Sequence, residues 1–236
     1  MQAVILAGGQ GTRLRPLTLS FPKPLLPIGD QPILEIIVRQ LARTGFKEII
    51  ISTGYLAELI ETYFSDGARW GIRIRYVHEQ SALNTAGSLK IIGDLDPVFL
   101  VMNGDVLTDL NYGSFISGHT EAGCAATIAT IEHENKVDFG VIESTPSGLL
   151  QGISEKPIFR YSVSMGVYVL NRSVIEQIGS NEVIGMPDFL LRIKDSGEKI
   201  RCHPFKGYWL DIGRLDDYER AHSEFSSKKS IFLPEE

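Results

Sequence analysis

The run Ala3-Val4-Ile5-Leu6-Ala7 stops at Gly8-Gly9 and leads straight into Gln10-Gly11-Thr12-Arg13-Leu14. Five apolar residues without polar alternation suit a strand buried on both faces, as in a parallel sheet covered by helices. The glycines end the strand and allow backbone N–H groups to approach an anion closely. In open α/β sheets, ligands bind at the carboxyl ends of such strands.

The rest of the N-terminal half repeats this theme. Residues 33–41 carry a helical pattern, with Asp30 as an N-cap and Gly45 as a stop. A strand over 48–53 precedes a helix over 55–64, and a half-exposed strand over 72–78 precedes a helix over 85–92. Residues 97–103 form another buried strand. Repeated βα units imply a Rossmann-like, mostly parallel sheet flanked by helices. In the C-terminal half, strands are expected at 124–131, 139–144, 166–170 and 199–205, and helices near Met186–Lys194 and Leu215–Ser223. We expect a single α/β domain over 1–236: an NTP-binding half (1–110), an acceptor-binding lobe (111–225) and a peripheral tail (226–236).

Bulk charge excludes one class of partner. With a formal net charge of −6, nothing favours a nucleic-acid backbone, so any phosphate must be held by a local site. No stretch approaches the ~20 apolar residues that span a bilayer, and no targeting segment is visible, so a cytoplasmic location is expected. Cys124 and Cys202 have no metal or redox spacing and read as reduced structural thiols.

The loop over Gly8–Leu14 fits neither common nucleotide motif. Thr12-Arg13 stands where a P-loop needs Lys-Ser, and from Gly9 the sixth position of the dinucleotide fingerprint is Leu14. Arg13 adds a permanently charged fork for phosphate oxygens. Taken alone, this is a glycine-rich turn with an anion site. Eight residues on, Phe21-Pro22-Lys23-Pro24 presents a lysine stiffened by proline on both sides. A fixed ammonium beside an anion loop suits a charge aimed at a reacting phosphate.

These segments, with Asn103-Gly104-Asp105, Phe139–Glu143, Glu155-Lys156-Pro157, Met165–Tyr168 and Gly207–Gly213, resemble the sugar-1-phosphate nucleotidylyltransferase family. The resemblance runs from Gln2 to about Tyr218 and is closest to short mannose- and heptose-1-phosphate guanylyltransferase-like members. It implies the nucleotide-diphospho-sugar transferase fold with a small acceptor-binding lobe. It also implies transfer of a nucleoside monophosphate from an NTP to a sugar 1-phosphate.

By resemblance, Gly8, Gly9 and Gly11 cradle the triphosphate, and Leu6, Ala7 and Thr12 are further nucleotide-binding candidates. Arg13 neutralises departing pyrophosphate, and Lys23 contacts the α-phosphate. Arg13, Lys23 and Asp105 are the catalytic candidates. Asp105 follows a buried strand, where an uncompensated carboxylate is costly. Mg²⁺ on Asp105, completed by Asp211, resolves that cost. The base is expected on Glu79, Asn84, Thr85, Ala86 and Gly87. The acceptor is expected on Asn103, Gly140, Glu155, Lys156, Gly166 and Trp209, although Trp209 also reads as a half-buried core aromatic. The five histidines show no ligand spacing.

The chain departs from the family pattern at Ala82 and Asn84, where many relatives have proline and glycine, and at Ser164, where they have asparagine. Asparagine tolerates left-handed φ, so the turn at Asn84 is compatible. Glu79 can accept both N1–H and N2–H₂ of guanine, whereas uracil and thymine offer one N3–H. GTP is therefore modestly favoured, with UTP or dTTP as alternatives. A non-sugar acceptor, or a catalytically silent nucleotide-sugar-binding homologue, are the rival readings. Partners are expected to be small molecules, in a monomer or small homo-oligomer.

Overall fold

The computed structural model describes residues 1–79 and 81–233. In chain order the strands are β1 (Gln2–Ala7), β2 (Pro27–Ile28), β3 (Gln31–Pro32), β4 (Glu48–Thr53), β5 (Arg73–His78), β6 (Val98–Asn103) and β7 (Val106–Thr108). They continue as β8 (Ala126–Lys136), β9 (Gly140–Ser144), β10 (Leu150–Glu155), β11 (Ile158–Asn171), β12 (Ile200–Phe205) and β13 (Trp209–Asp211). The α-helices are α1 (Ile33–Arg43), α2 (Ala57–Phe64), α3 (Asn84–Gly87), α4 (Tyr112–Ala122), α5 (Met186–Asp195) and α6 (Leu215–Phe232).

Seven strands form the main sheet in the order β12-β8-β11-β6-β1-β4-β5. β1 runs parallel to β4 and β6, β4 to β5, and β12 to β8, whereas β11 lies antiparallel to both its neighbours. The expected α/β architecture with a mixed, mostly parallel sheet is what the chain adopts. From β1 the chain moves to β4 and β5 on one side, then crosses to β6 on the other. That reversal opens a crevice at the carboxyl end of β1, where doubly wound sheets hold ligands.

Core packing follows the strand alternation. Ala3 and Ile5 of β1 face one layer with Ile33, Ile37 and Leu41 of α1 and with Phe225 and Phe232 of α6. Val4 faces the other layer, with Phe99, Val101, Leu89, Phe189 and Ile193. The sheet is thus buried on both faces, which explains the unbroken apolar runs at β1 and β6.

Several local expectations differ from the structure. Asp30 does not cap α1; Pro32 precedes the first turn, and the Asp30 carboxylate pairs with Lys229 Nζ at 3.0 Å. The expected helix over 85–92 is split into α3 and a 3-10 turn over Ser88–Ile91. The chain over 226–232 is no peripheral tail: α6 continues through it, and Phe232 is buried against Tyr208 and Phe225. The last three residues of the expected tail lie outside the described residues. α6 also braces the N-terminal region. Its Tyr218 hydroxyl donates to the Pro27 carbonyl at 2.8 Å, and Phe225 packs on Gly29. Among the described residues, strands β9 and β10 pair only with each other, forming a hairpin outside the main sheet, and Phe139 just before β9 is 77% exposed. Among the described residues, no helix is long and apolar enough to cross a membrane.

Candidate active site

A cavity of about 360 Å³ opens at the carboxyl end of β1. One wall is the loop after that strand. Gly11 adopts φ +60°, and Thr18 Oγ1 donates to its carbonyl at 2.8 Å while Leu14 N–H donates to it at 2.9 Å. A side chain at Gly11 would strike Thr18, so glycine is required both for the left-handed backbone and for the space. Gly8 has a different reason: a Cβ there would lie 2.8 Å from Glu79 Oε1. The missing side chain lets the Glu79 carboxylate rest against the loop backbone.

One end of the cavity brings together Arg13, Lys23 and Asp105 from three segments, with Asp211 from a fourth packed beside them. Gly104 N–H donates to the Leu6 carbonyl at 3.0 Å, which ties the turn after β6 to the end of β1. The next residue, Asp105, accepts Lys23 Nζ on Oδ2 in a short ion pair; the side chains are 11% (Lys23) and 20% (Asp105) exposed. Lys23 starts a 3-10 turn between Pro22 and Pro24, as its stiff sequence context suggests. Asp211 comes to the same place because β13 pairs with β7, setting Asp211 opposite Val106, and Ile212 N–H donates to the Asp105 carbonyl at 3.1 Å. A Cβ on Gly213 would sit 3.2 Å from an Arg13 nitrogen and 3.4 Å from Asp211 Oδ2, so Arg13 and Asp211 converge there.

The electrostatics of this cluster are unbalanced. Burial pushes the Asp211 carboxyl above its ordinary value; the Asp105 charge adds to this, while Lys23 and Arg13 oppose it. An acid whose folded pKa is raised loses stability in its charged form, so the penalty is present above that pKa and absent at low pH. Asp211→Asn is therefore expected to raise the thermal unfolding midpoint in metal-free buffer at pH 7, with the gain fading at acid pH. A midpoint that stays or falls at pH 7 contradicts this account. Asp105 Oδ1 is buried without a hydrogen-bond partner. Two neighbouring carboxylates, one with an unmatched oxygen, fit a divalent cation that takes its remaining ligands from substrate phosphates. Among the described residues no cluster of three or more His, Cys, Asp or Glu side chains exists to hold a metal without such help.

Glu79, Asn84 and Thr85 line another part of the cavity. Glu79 Oε1 accepts the Ser52 hydroxyl at 3.0 Å and Oε2 accepts the Leu83 N–H at 3.3 Å, which fixes the carboxylate plane. Asn84 adopts φ +65°, the left-handed conformation expected of it, and its Oδ1 accepts the Thr85 N–H at 2.9 Å. Gln80, inside the expected base-recognition segment, lies outside the described residues.

A family model for nucleotidyl transferases matches residues 2–228. The chain belongs to this family. It is 35% identical to a UTP–glucose-1-phosphate uridylyltransferase of Synechocystis, over 99% of this chain and 66% of that protein. It is 33% identical to a mannose-1-phosphate guanyltransferase of Yarrowia lipolytica, over 100% of this chain and 67% of that one. The chain thus spans about two thirds of the length of these relatives. Among solved structures, HddC from Yersinia pseudotuberculosis superimposes with a TM-score of 0.75 at 27% identity, covering 95% of this chain and 99% of that chain. A structure of HddC with GMP-PN gives 0.74 at 26% identity, covering 95% and 99%.

In this family member, Leu6, Ala7, Gly8, Gly9, Gly11, Thr12, Arg13, Lys23, Glu79, Asn84, Thr85, Asn103 and Asp105 line one cavity. Ala86 and Gly87 lie behind it: both are buried, and their N–H groups donate to the Ile184 carbonyl at 3.0 and 3.1 Å. The acceptor candidates divide. Gly166 stands next to the cavity, because a Cβ there would fall 2.6 Å from Asn103 Nδ2. Trp209 packs on the core and donates its indole N–H to the Met165 carbonyl at 2.9 Å, the half-buried aromatic of its second reading. Gly140, Glu155 and Lys156 sit on the exposed β9–β10 hairpin, outside the cavity lining. Pro24, Ala82, Ser88, Gly104 and Gly213 also line the cavity. Gly104 and Gly213 neighbour the two aspartates and were reachable from those motifs; Ser88 had no sequence signal.

Proposed function

We propose that this chain transfers a nucleoside monophosphate from an NTP to a sugar 1-phosphate, with GTP as the favoured donor. The observation that carries the reading is the meeting of Arg13, Lys23 and Asp105 in the same cavity as a positioned Glu79 carboxylate, with Asp211 packed just behind its lining. A sugar-phosphate oxygen attacks the α-phosphorus, a new P–O bond forms, and the bond to the bridging oxygen of the β-phosphate breaks as pyrophosphate leaves. A phosphate monoester is already a competent nucleophile at neutral pH, so no general base is needed. The obstacle is the approach of anions, and the residues act by position and charge. Lys23 is assigned to the α-phosphate, and Arg13 to the charge on the departing pyrophosphate. Backbone N–H groups of the loop after β1 face the triphosphate. Mg²⁺, held by Asp105 and Asp211, would offset phosphate charge when bound.

Preference for guanine rests on Glu79. Each carboxylate oxygen accepts one protein hydrogen bond and keeps a free lone pair, which matches the paired N1–H and N2–H₂ donors of guanine. Uracil and thymine set carbonyl oxygens beside their single N3–H, and one of these would face the carboxylate. A uridylyl-transfer reading is kept open by the Synechocystis relative. Pyrophosphate release with four NTPs against a panel of sugar 1-phosphates tests the proposal, and GTP is expected to give the highest kcat/KM. In Glu79→Gln, kcat/KM for GTP should fall by about 10- to 150-fold, the scale of a hydrogen bond to a charged group, with a smaller loss for UTP. Equal effects on both nucleotides remove Glu79 from base selection. Release with none of the four overturns the transfer reading.

A further inference from the structure

Two buried side-chain atoms among the described cavity-lining residues lack a hydrogen-bond partner: Asp105 Oδ1 and Ser88 Oγ. The first belongs to the phosphate end. The second lies at the nucleoside end and has no role in the mechanism above. Ser88 is 1% exposed, and a buried hydroxyl left unmatched is an exception that calls for a cause.

The local structure prevents Ser88 from finding a partner by moving away. Ala86 and Gly87 are pinned by the Ile184 carbonyl, and Thr85 Oγ1 accepts the Met186 N–H at 2.8 Å. Asn84 Oδ1 is committed to the Thr85 N–H. Gly87 itself is wedged, since a Cβ there would fall 2.3 Å from the Glu182 carbonyl oxygen. Ser88 follows Asn84 by four residues and Thr85 by three, so the three side chains share the helical face that lines the cavity. Glu79 joins the same end through the Leu83 N–H.

We infer that Ser88 is a nucleoside-binding residue, whose hydroxyl gains its missing hydrogen bond from a polar atom of the bound base or ribose. This inference rests on the NTP-dependent reading above. A residue of this kind contributes little to the empty protein and much to the complex, because the unmet hydroxyl is matched only on binding.

Binding of GTP and UTP to the full chain and to Ser88→Ala, measured by calorimetry, tests this. Alanine suits the helical backbone and leaves no unmatched atom, so the ligand-free variant should unfold at the wild-type temperature or above. Affinity for the preferred nucleotide should fall by roughly 5- to 30-fold, the scale of one hydrogen bond. Repeating the pair with the 2′,3′-dideoxy analogue separates the two sources. A Ser88→Ala penalty that disappears assigns the hydroxyl to the ribose, and one that persists assigns it to the base. Affinity within two-fold of wild type overturns the inference, as does a fall of several degrees in the ligand-free unfolding temperature, which would reveal a structural partner. Wild-type protein that binds neither nucleotide overturns the transfer reading and this inference together. Normal wild-type binding with an indifferent Ser88→Ala overturns this inference alone.

Discussion

Lys23→Ala is expected to lower kcat at least ~100-fold while the protein keeps its fold, on the scale of losing one preorganised charge at a reacting centre. Lys23 is held by prolines on either side and by the Gly11 loop, 3.3 Å from its Cβ to the place where a Gly11 side chain would begin. Its ammonium therefore needs little reorganisation when phosphate arrives. The fold should survive because the apolar layers on both faces of the sheet do not involve this side chain. Losing the ammonium does leave Asp105 without its partner, so a modest drop in unfolding temperature is part of the expectation. Steady-state pyrophosphate release, paired with circular dichroism of the same preparation, checks it. Turnover near the wild-type rate removes Lys23 from the mechanism.

Asp105→Asn should be the second severe variant, with turnover down by roughly 100- to 1,000-fold and little response left to added Mg²⁺. Asparagine keeps the shape and can still accept from Lys23, but it lacks the charge that both the lysine and a divalent cation require. Titrating Mg²⁺ against rate for both proteins gives the answer, and an unchanged metal dependence would sink the ion-site assignment. Because Lys23 and Asp105 form one ion pair, the double variant should be far less damaged than the product of the two single losses. Independent, multiplying effects would show that the pair does not act as a unit.

The parts of this molecule that were legible in the sequence are those whose signals are local. The Ala3–Ala7 run with its glycine stop marks the central strand and the site at its end. Pro22 and Pro24 announce a fixed Lys23. Elsewhere the decisive contacts are tertiary. The segment over α4 carries two glycines and a weak apolar stripe, so its helix was not apparent, although Asn111 caps it by accepting the Ser114 N–H at 2.9 Å. The stretch from residue 226 reads as a tail until Phe232 is seen buried two helical turns beyond Phe225, on the same face of α6. That β9 and β10 would pair with each other rather than join the sheet is a question of register, which alternation alone does not answer. The acceptor residues predicted there belong to an exposed hairpin for the same reason. Glu79 stands out in the sequence as a candidate for the base, but its orientation depends on Ser52, a strand away.

The brace between α6 and the N-terminal region has a consequence for biosynthesis. Lys23 leaves the ribosome early, yet the helix that steadies the β2–β3 turn behind it begins roughly 190 residues later. At ordinary elongation rates that interval is about 10–40 s. During it, the glycine loop and the lysine exist without that support; β6 becomes available to β1 part-way through, and β13 with Asp211 only at its end. The two halves of the charge cluster are therefore joined only once β13 has been made. A chain that has not reached α6 has no finished cleft, so the cluster is completed in one step after Asp211 is made.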